Sequence, residues 1–180
     1  MTHASLRTRI TALALSALAF GCATFPSPTT TPAATAGETI FVVVRHAEKA
    51  TDDPKDPTLT ASGHARAQRV AGRLADARVS AVYATGYRRT QSTAAPTARA
   101  HGLDVRTYDA STAAAELAAR LRSAHASGWV LVVGHSNTVP AIAGALCGCE
   151  VAPLREDEYD RWIRIRTDRD GTTTLEEERY

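Results

Sequence analysis

Two unbroken apolar runs, each ending abruptly in a histidine, dominate the hydrophobic pattern of this chain. Ile40–Val44 is followed by Arg45-His46, and Trp129–Val133 is followed by Gly134-His135. Continuous runs rich in β-branched residues suit strands covered on both faces, whereas a strand with one wet face alternates apolar and polar positions. Between and after these runs the pattern switches to helical spacing. It predicts strands over 39–44, 79–84, 104–107 and 129–134, and helices over 60–76, 88–101, 112–126 and 137–146. A last strand pair, near 161–167 and 172–177, is joined by Asp168-Arg169-Asp170-Gly171, whose Asp-Gly step signals a hairpin turn. Repeated strand–helix units predict an α/β three-layer sandwich. Its central sheet is mostly parallel, with helices on both faces and a C-terminal antiparallel hairpin.

The polar residues that end the two buried strands carry the candidate chemistry. In open α/β sheets, ligands bind beyond the carboxyl ends of the strands. Two strands ending in histidine, one with Arg45 just before it, predict a single site built from both. A guanidinium can hold two phosphate oxygens at once, and an imidazole can attack phosphorus.

Three segments in order carry a family resemblance. They are Arg45-His46-Ala47-Glu48-Lys49, then Thr85-Gly86-Tyr87-Arg88-Arg89-Thr90-Gln91-Ser92-Thr93-Ala94, then Gly134-His135-Ser136-Asn137. Each follows a predicted strand. Together they resemble the histidine phosphatase superfamily, whose fold is phosphoglycerate mutase-like, and Leu59–Gly63 is similar to the opening of its first long helix. The resemblance covers roughly Thr39 to Trp162 and is closest to small branch-1 members. Ala47 stands where the family often has glycine, which suits a backbone that need not enter positive φ.

The resemblance implies roles. His46 is the nucleophile that becomes phosphohistidine. Arg45 and Arg89 clamp the phosphoryl oxygens, and His135, if protonated in the complex, adds donors to the same group. Arg88 is the neighbouring alternative should the register shift by one. An acid that protonates the leaving group is harder to place. Ser136 occupies the position where the acid phosphatase branch has Asp, so Asp109, on the loop after the third strand, is the candidate. Glu48 and no acid at all remain open, since some small members act on phosphohistidine, whose leaving group needs less help. Asp109 also suits a helix start beside Ser111 or Thr112, and Glu48 suits orienting an arginine. His64, His101 and His125 read as helix-surface residues, and Arg66, Arg69 and Arg73 as a solvated helix face.

Residues 1–21 combine Arg7 and Arg9, no acidic residue and a short apolar stretch from Ile10 to Phe20, the pattern of a signal peptide. Gly21-Cys22 resembles a lipoprotein processing site that would leave Cys22 lipidated, and plain cleavage after Ala23 is the alternative. Residues 22–37 form an uncharged tract rich in Pro, Thr and Ala, which cannot bury enough surface to offset its ordering entropy and reads as a tether. Residues 38–180 then form the phosphatase domain. The protein is expected to be exported and held by its lipid on a membrane, facing the periplasm or cell exterior.

Charge and cysteine usage narrow the classes. The full chain has 21 basic and 19 acidic residues, and losing Arg7 and Arg9 with the leader makes the signs equal. There is no overall field for nucleic acid. Cys147 and Cys149, separated only by Gly148, are compatible with free thiols, a mutual disulfide or half of a metal site. The candidate phosphate site offers two arginines and two histidines and no carboxylate cluster of the kind that holds Mg²⁺, so neither metal nor cofactor is expected. The sequence therefore points to a metal-independent phosphatase acting on a small phosphorylated substrate or a phosphoprotein. The alternative is a non-catalytic lipoprotein that binds phosphate or phosphoprotein on the same fold. A mutase is disfavoured because the short chain leaves few insertions for a lid.

Overall fold

A computed structural model describes residues 37–180, together with Met1. The expected signal peptide, Cys22 and the tether up to residue 36 lie outside the described residues. The elements follow in the order β1 (Thr39–Arg45), α1 (Ala61–Arg73), β2 (Val79–Thr85), α2 (Arg88–Ala100), β3 (Val105–Tyr108), α3 (Ala114–Ala124), β4 (Gly128–Gly134), α4 (Val139–Cys147), β5 (Arg161–Thr167) and β6 (Thr173–Arg179). They build a six-stranded sheet in the order β3-β2-β4-β1-β5-β6. β3, β2, β4 and β1 run parallel, and β5 and β6 close the sheet as an antiparallel hairpin.

The continuous apolar runs are the two central strands. Every residue of β1 and of β4 is buried. Strand periodicity of two then divides each run between two cores. Phe41, Val43, Val130 and Val132 face Leu117 and Leu121 of α3 and Ile142 and Leu146 of α4. Ile40, Val42, Val44, Leu131 and Val133 face Val70 and Leu74 at α1, and Ala94 and Ala98 of α2. Three layers follow directly. The sheet edges differ from this centre: β3 is only four residues long, and β6 is mostly exposed and carries Glu176, Glu177 and Glu178. A short edge and a charged edge both discourage pairing with another chain.

Local signals set the boundaries. Thr60 caps α1 by accepting from the Gly63 N–H at 3.0 Å. The hairpin turns where expected, with Gly171 at φ 84° and its N–H bonded to the Asp168 carbonyl at 3.0 Å. α4 ends on Gly148, at φ 67°, and Cys147 and Cys149 on either side of it form a disulfide.

Two surface expectations need correction. Arg66 and Arg73 clasp the last strand instead of a solvent layer. Arg66 bonds the Tyr180 backbone oxygen at 3.2 Å and Arg73 the Arg179 carbonyl at 3.3 Å. Arg73 also pairs with Glu178 and lies over the Trp162 ring at 4.7 Å. His125 is buried at the end of α3, where its Nε2 meets the Tyr83 hydroxyl at 3.0 Å. His101 at the end of α2 reaches the Leu74 carbonyl at 3.0 Å, while His64 is exposed as expected. Arginine stems and histidine rings can serve either surface or interior, and spacing on one helix does not reveal the neighbouring element.

Candidate active site

Sheet register brings the two histidines together. β1 and β4 pair in parallel with Arg45 opposite Gly134, so the next residues, His46 and His135, leave the sheet side by side. The His46 N–H continues the ladder to the Gly134 carbonyl at 2.9 Å. The ring centroids lie 5.4 Å apart, edge to face. β2 flanks β4 on its other side and delivers Thr85 and the start of α2 to the same rim.

His46 is held in one tautomer. Its Nδ1 lies 2.8 Å from the Ala47 carbonyl, which can only accept, so Nδ1 carries the proton and Nε2 carries the lone pair. Ala47 is itself fixed: its N–H donates to Thr93 Oγ1 at 3.0 Å, and Thr93 donates to the Arg89 carbonyl at 2.7 Å. Ala47 does not need glycine, since positive φ among the described residues is confined to glycines. Burial pushes the His46 imidazole down to about 3, with His135, Arg45 and Arg89 adding repulsion, so the ring is neutral at pH 7. His135 is pushed down to about 4, again mainly by burial, then by Arg89 and Arg45.

The guanidinium groups flank the histidines. Arg45 is 2% exposed and its Nη1 donates to the carbonyls of Arg155, Glu156 and Glu158 at 3.2, 2.8 and 3.1 Å. The Tyr159 ring covers it at 4.1 Å. Arg89 stacks on the Tyr87 ring at 4.3 Å, with Asp56 3.8 Å from its Nη1. Three donors of this pair, Arg45 Nε and Arg89 Nε and Nη1, are buried without a hydrogen-bond partner in the protein. Buried orphan donors of this kind ask for a ligand. Arg88 is exposed; its backbone N–H donates to the Asp56 carboxylate at 2.9 Å and its Nη1 lies 3.5 Å from the Asp56 carbonyl oxygen.

These groups open onto a cleft of about 300 Å³ lined by Arg45, His46, Lys49, Tyr87, Arg89, Ala110, His135, Ser136, Asn137, Thr138 and Glu156. Three cations against one carboxylate make it attractive to an anion. The structure therefore gathers His46, His135, Arg45 and Arg89, and Asp109 does not line this cleft, although the adjacent Ala110 does. The Asp109 carboxylate accepts from the Ser111 N–H at 2.8 Å and the Ser111 hydroxyl at 2.7 Å, in a neighbouring hollow. Glu48 is also committed elsewhere, gripped by Arg66 through Nε at 3.0 Å and Nη2 at 2.7 Å. Among the described residues no cluster of His, Cys, Asp and Glu comes together that could hold a metal ion.

Sequence reasoning missed Lys49, Tyr87 and Glu156. Lys49 and Tyr87 sit inside the quoted motifs and were legible as neighbours of the expected clamps. Glu156 reaches the cleft from the loop before β5, accepting from Ser136 at 3.0 Å and approaching Arg45 Nη2 at 3.4 Å. Nothing in the spacing of Glu156, Asp157 and Glu158 singles it out.

Known proteins share this fold. The sequence model of the histidine phosphatase superfamily (branch 1) matches residues 41–112. Among solved structures, the protein histidine phosphatase SixA complexed with tungstate superposes with a TM-score of 0.62 at 19% identity, covering 78% of this chain and 96% of that one. The mycobacterial glucosyl-3-phosphoglycerate phosphatase gives 0.61 at 15% identity, covering 77% and 97%. YhfR of Bacillus stearothermophilus gives 0.62 at 17%, covering 76% and 95%. A search of curated protein sequences returns no significant match.

Proposed function

From a chain that has the histidine phosphatase fold and matches that superfamily's branch 1 model, we propose a metal-independent phosphatase that works through a phosphohistidine on His46. Its substrates are phosphomonoesters or phosphohistidine. The observation that carries this reading is the set of buried guanidinium donors without a hydrogen-bond partner, Arg45 Nε and Arg89 Nε and Nη1, beside two neutral histidines. The phosphoryl group docks on Arg45 Nε and Arg89 Nε and Nη1. His46 Nε2 attacks phosphorus as its Nδ1–H stays bonded to Ala47; the substrate's P–O or P–N bond breaks, and the leaving oxygen or nitrogen takes a proton and departs. The developing charge on the equatorial oxygens is met by guanidinium donors already in place, which is where preorganised donors act most strongly. Water then attacks the phosphohistidine, the Nε2–P bond breaks, and inorganic phosphate leaves with the water proton as His46 returns to its neutral form. The SixA phosphatase among its structural neighbours is a protein histidine phosphatase, which favours a phosphohistidine substrate. The hollow lined by Tyr87, Thr107, Tyr108 and Asp109 adjoins the cleft through Tyr87 and Ala110 and offers room for the leaving group, which would then lie on the same side as the Asp109 carboxylate. We further propose that the protein is exported and held on a membrane through lipidated Cys22.

Hydrolysis of a chromogenic aryl phosphate in EDTA tests the reading. A denaturing quench during turnover should trap phosphate as an acid-labile, base-stable adduct on His46, and His46→Ala should lose both adduct and turnover. Wild-type turnover in His46→Ala would end the mechanism, and binding of phosphate without any turnover would leave a phosphate-binding protein on this fold.

A further inference from the structure

A chain of buried hydroxyls behind His135 has its protons assigned by geometry alone. Thr90 Oγ1 lies 2.8 Å from the Tyr87 carbonyl and 3.0 Å from the Thr85 carbonyl. It also lies 2.8 Å from Thr85 Oγ1, which in turn lies 3.0 Å from His135 Nε2. Both threonines are fully buried. A hydroxyl has one proton, and carbonyl oxygens only accept. If Thr90 gave its proton to Thr85, it would face two carbonyl lone pairs at close range with no hydrogen between them. Its proton therefore goes to a carbonyl. Thr85 must then donate to Thr90, and Thr85 Oγ1 is left as the acceptor toward His135.

We propose that Thr90 and Thr85 are positioning residues that fix His135 as its Nε2–H tautomer and leave Nδ1 unprotonated toward the phosphoryl cleft. The sequence of donors is His135 Nε2–H to Thr85, Thr85 to Thr90, and Thr90 to the backbone. Nδ1 has no protein partner among the described residues, and His135 lines the cleft. Its ring is further fixed by the edge contacts with Tyr87, at 5.3 Å, and with His46. The consequence differs from that of a histidine that merely donates a fixed proton. In the free protein the cleft-facing nitrogen is an acceptor, and it becomes a donor to phosphoryl oxygen only by taking a proton from solvent as the anion enters. The tautomer follows from the hydrogen bonds alone; its effect on turnover rests on the phosphatase reading above.

Nitrogen-15 NMR of histidine-labelled full-length protein at neutral pH reads the tautomer without turnover. The expected His135 spectrum has a protonated Nε2 and a lone-pair Nδ1. Thr90→Val keeps the shape of the side chain but removes the acceptor. It should free the Thr85 hydroxyl to donate to Nε2, so that signal from the Nδ1–H form appears. Thr90→Ser should restore the wild-type pattern. In kinetics on an aryl phosphate, Thr90→Val should lower kcat by about tenfold, the low end of what losing an outer-shell partner of a metal-bound histidine costs, with little change in KM, and Thr90→Ser should recover most of it. A wild-type His135 protonated on Nδ1 at neutral pH would overturn the proposal, as would an unchanged tautomer in folded Thr90→Val. Should Thr90→Val fail to fold, the wild-type spectrum still decides. Loss of the tautomer with no catalysis in any variant would count against the phosphatase reading and not against the relay.

Discussion

At the scale of single residues, His46 and His135 are uncharged at neutral pH because a buried cation beside Arg45 and Arg89 is doubly disfavoured. The same cause makes a pH prediction. The folded imidazoles are lowered from 6.5 to about 3 and about 4, so below 6.5 the unfolded chain binds protons that the folded chain does not. Their contribution to stability is complete above pH 6.5 and is lost as pH falls from there toward 4 and then 3. Thermal unfolding should show the midpoint dropping over that window, and a His46→Gln, His135→Gln double variant should show a shallower drop. An equal slope in both proteins would refute it. The arginines divide just as sharply. Under the proposed mechanism, Arg45→Ala or Arg89→Ala removes donors that would hold the phosphoryl group, and each should lower kcat/KM by on the order of a hundredfold. Arg88, exposed and turned toward Asp56, should matter little when changed to alanine; steady-state kinetics on an aryl phosphate compares the three.

At the scale of elements, the site is held by contacts that cross between the three motifs. Thr93 on α2 holds the backbone of Ala47, the Gly134 carbonyl at the end of β4 holds the backbone of His46, and α1 begins directly against the loop that follows. Gly63 makes that last approach possible. A Cβ added there would stand 2.3 Å from the Glu48 carbonyl oxygen, which is backbone already engaged by the Thr60 N–H. Gly63→Ala should therefore push α1 from the His46 loop and destabilise the protein by about 1–3 kcal/mol, the usual range for overpacking. Urea unfolding measures this, and a neutral result would show that the helix start is free to shift. Gly134 is similarly enclosed, with Thr138 Oγ1 2.9 Å and the Tyr108 hydroxyl 3.2 Å from a would-be Cβ. The helix beginnings and strand ends were legible in advance because caps, glycines and apolar periodicity are local signals. The Arg66–Glu48 pair and the clasp of Arg73 on β6 were not, because each partner lies on an element far away in sequence.

At the scale of the whole molecule, the proposed lipid anchor at Cys22 predicts that the full-length protein should partition with membranes, whereas Cys22→Ser should release it or leave it unprocessed. Mass spectrometry of the mature N-terminus decides this, and an unmodified terminus at Thr24 would show plain secretion instead. The α/β order, the three layers and the terminal hairpin were determined by the sequence itself, since a run such as Ile40–Val44 or Trp129–Val133 is stable only when both faces are covered, and the alternation of periods leaves few other arrangements. The same patterns placed His46, Arg45, Arg89 and His135 at strand ends and helix starts. Only the tertiary structure decided how these ends combine. The parallel register of β1 against β4 set His46 beside His135, the insertion of Thr85 and Thr90 behind His135 settled its hydrogen bonds, and the loop before β5 carried Glu156 to the cleft while Asp109 turned to Ser111. Burial pattern and capping are fixed by near neighbours, but proton position, side-chain direction and charge state depend on groups that only packing brings within a few ångströms.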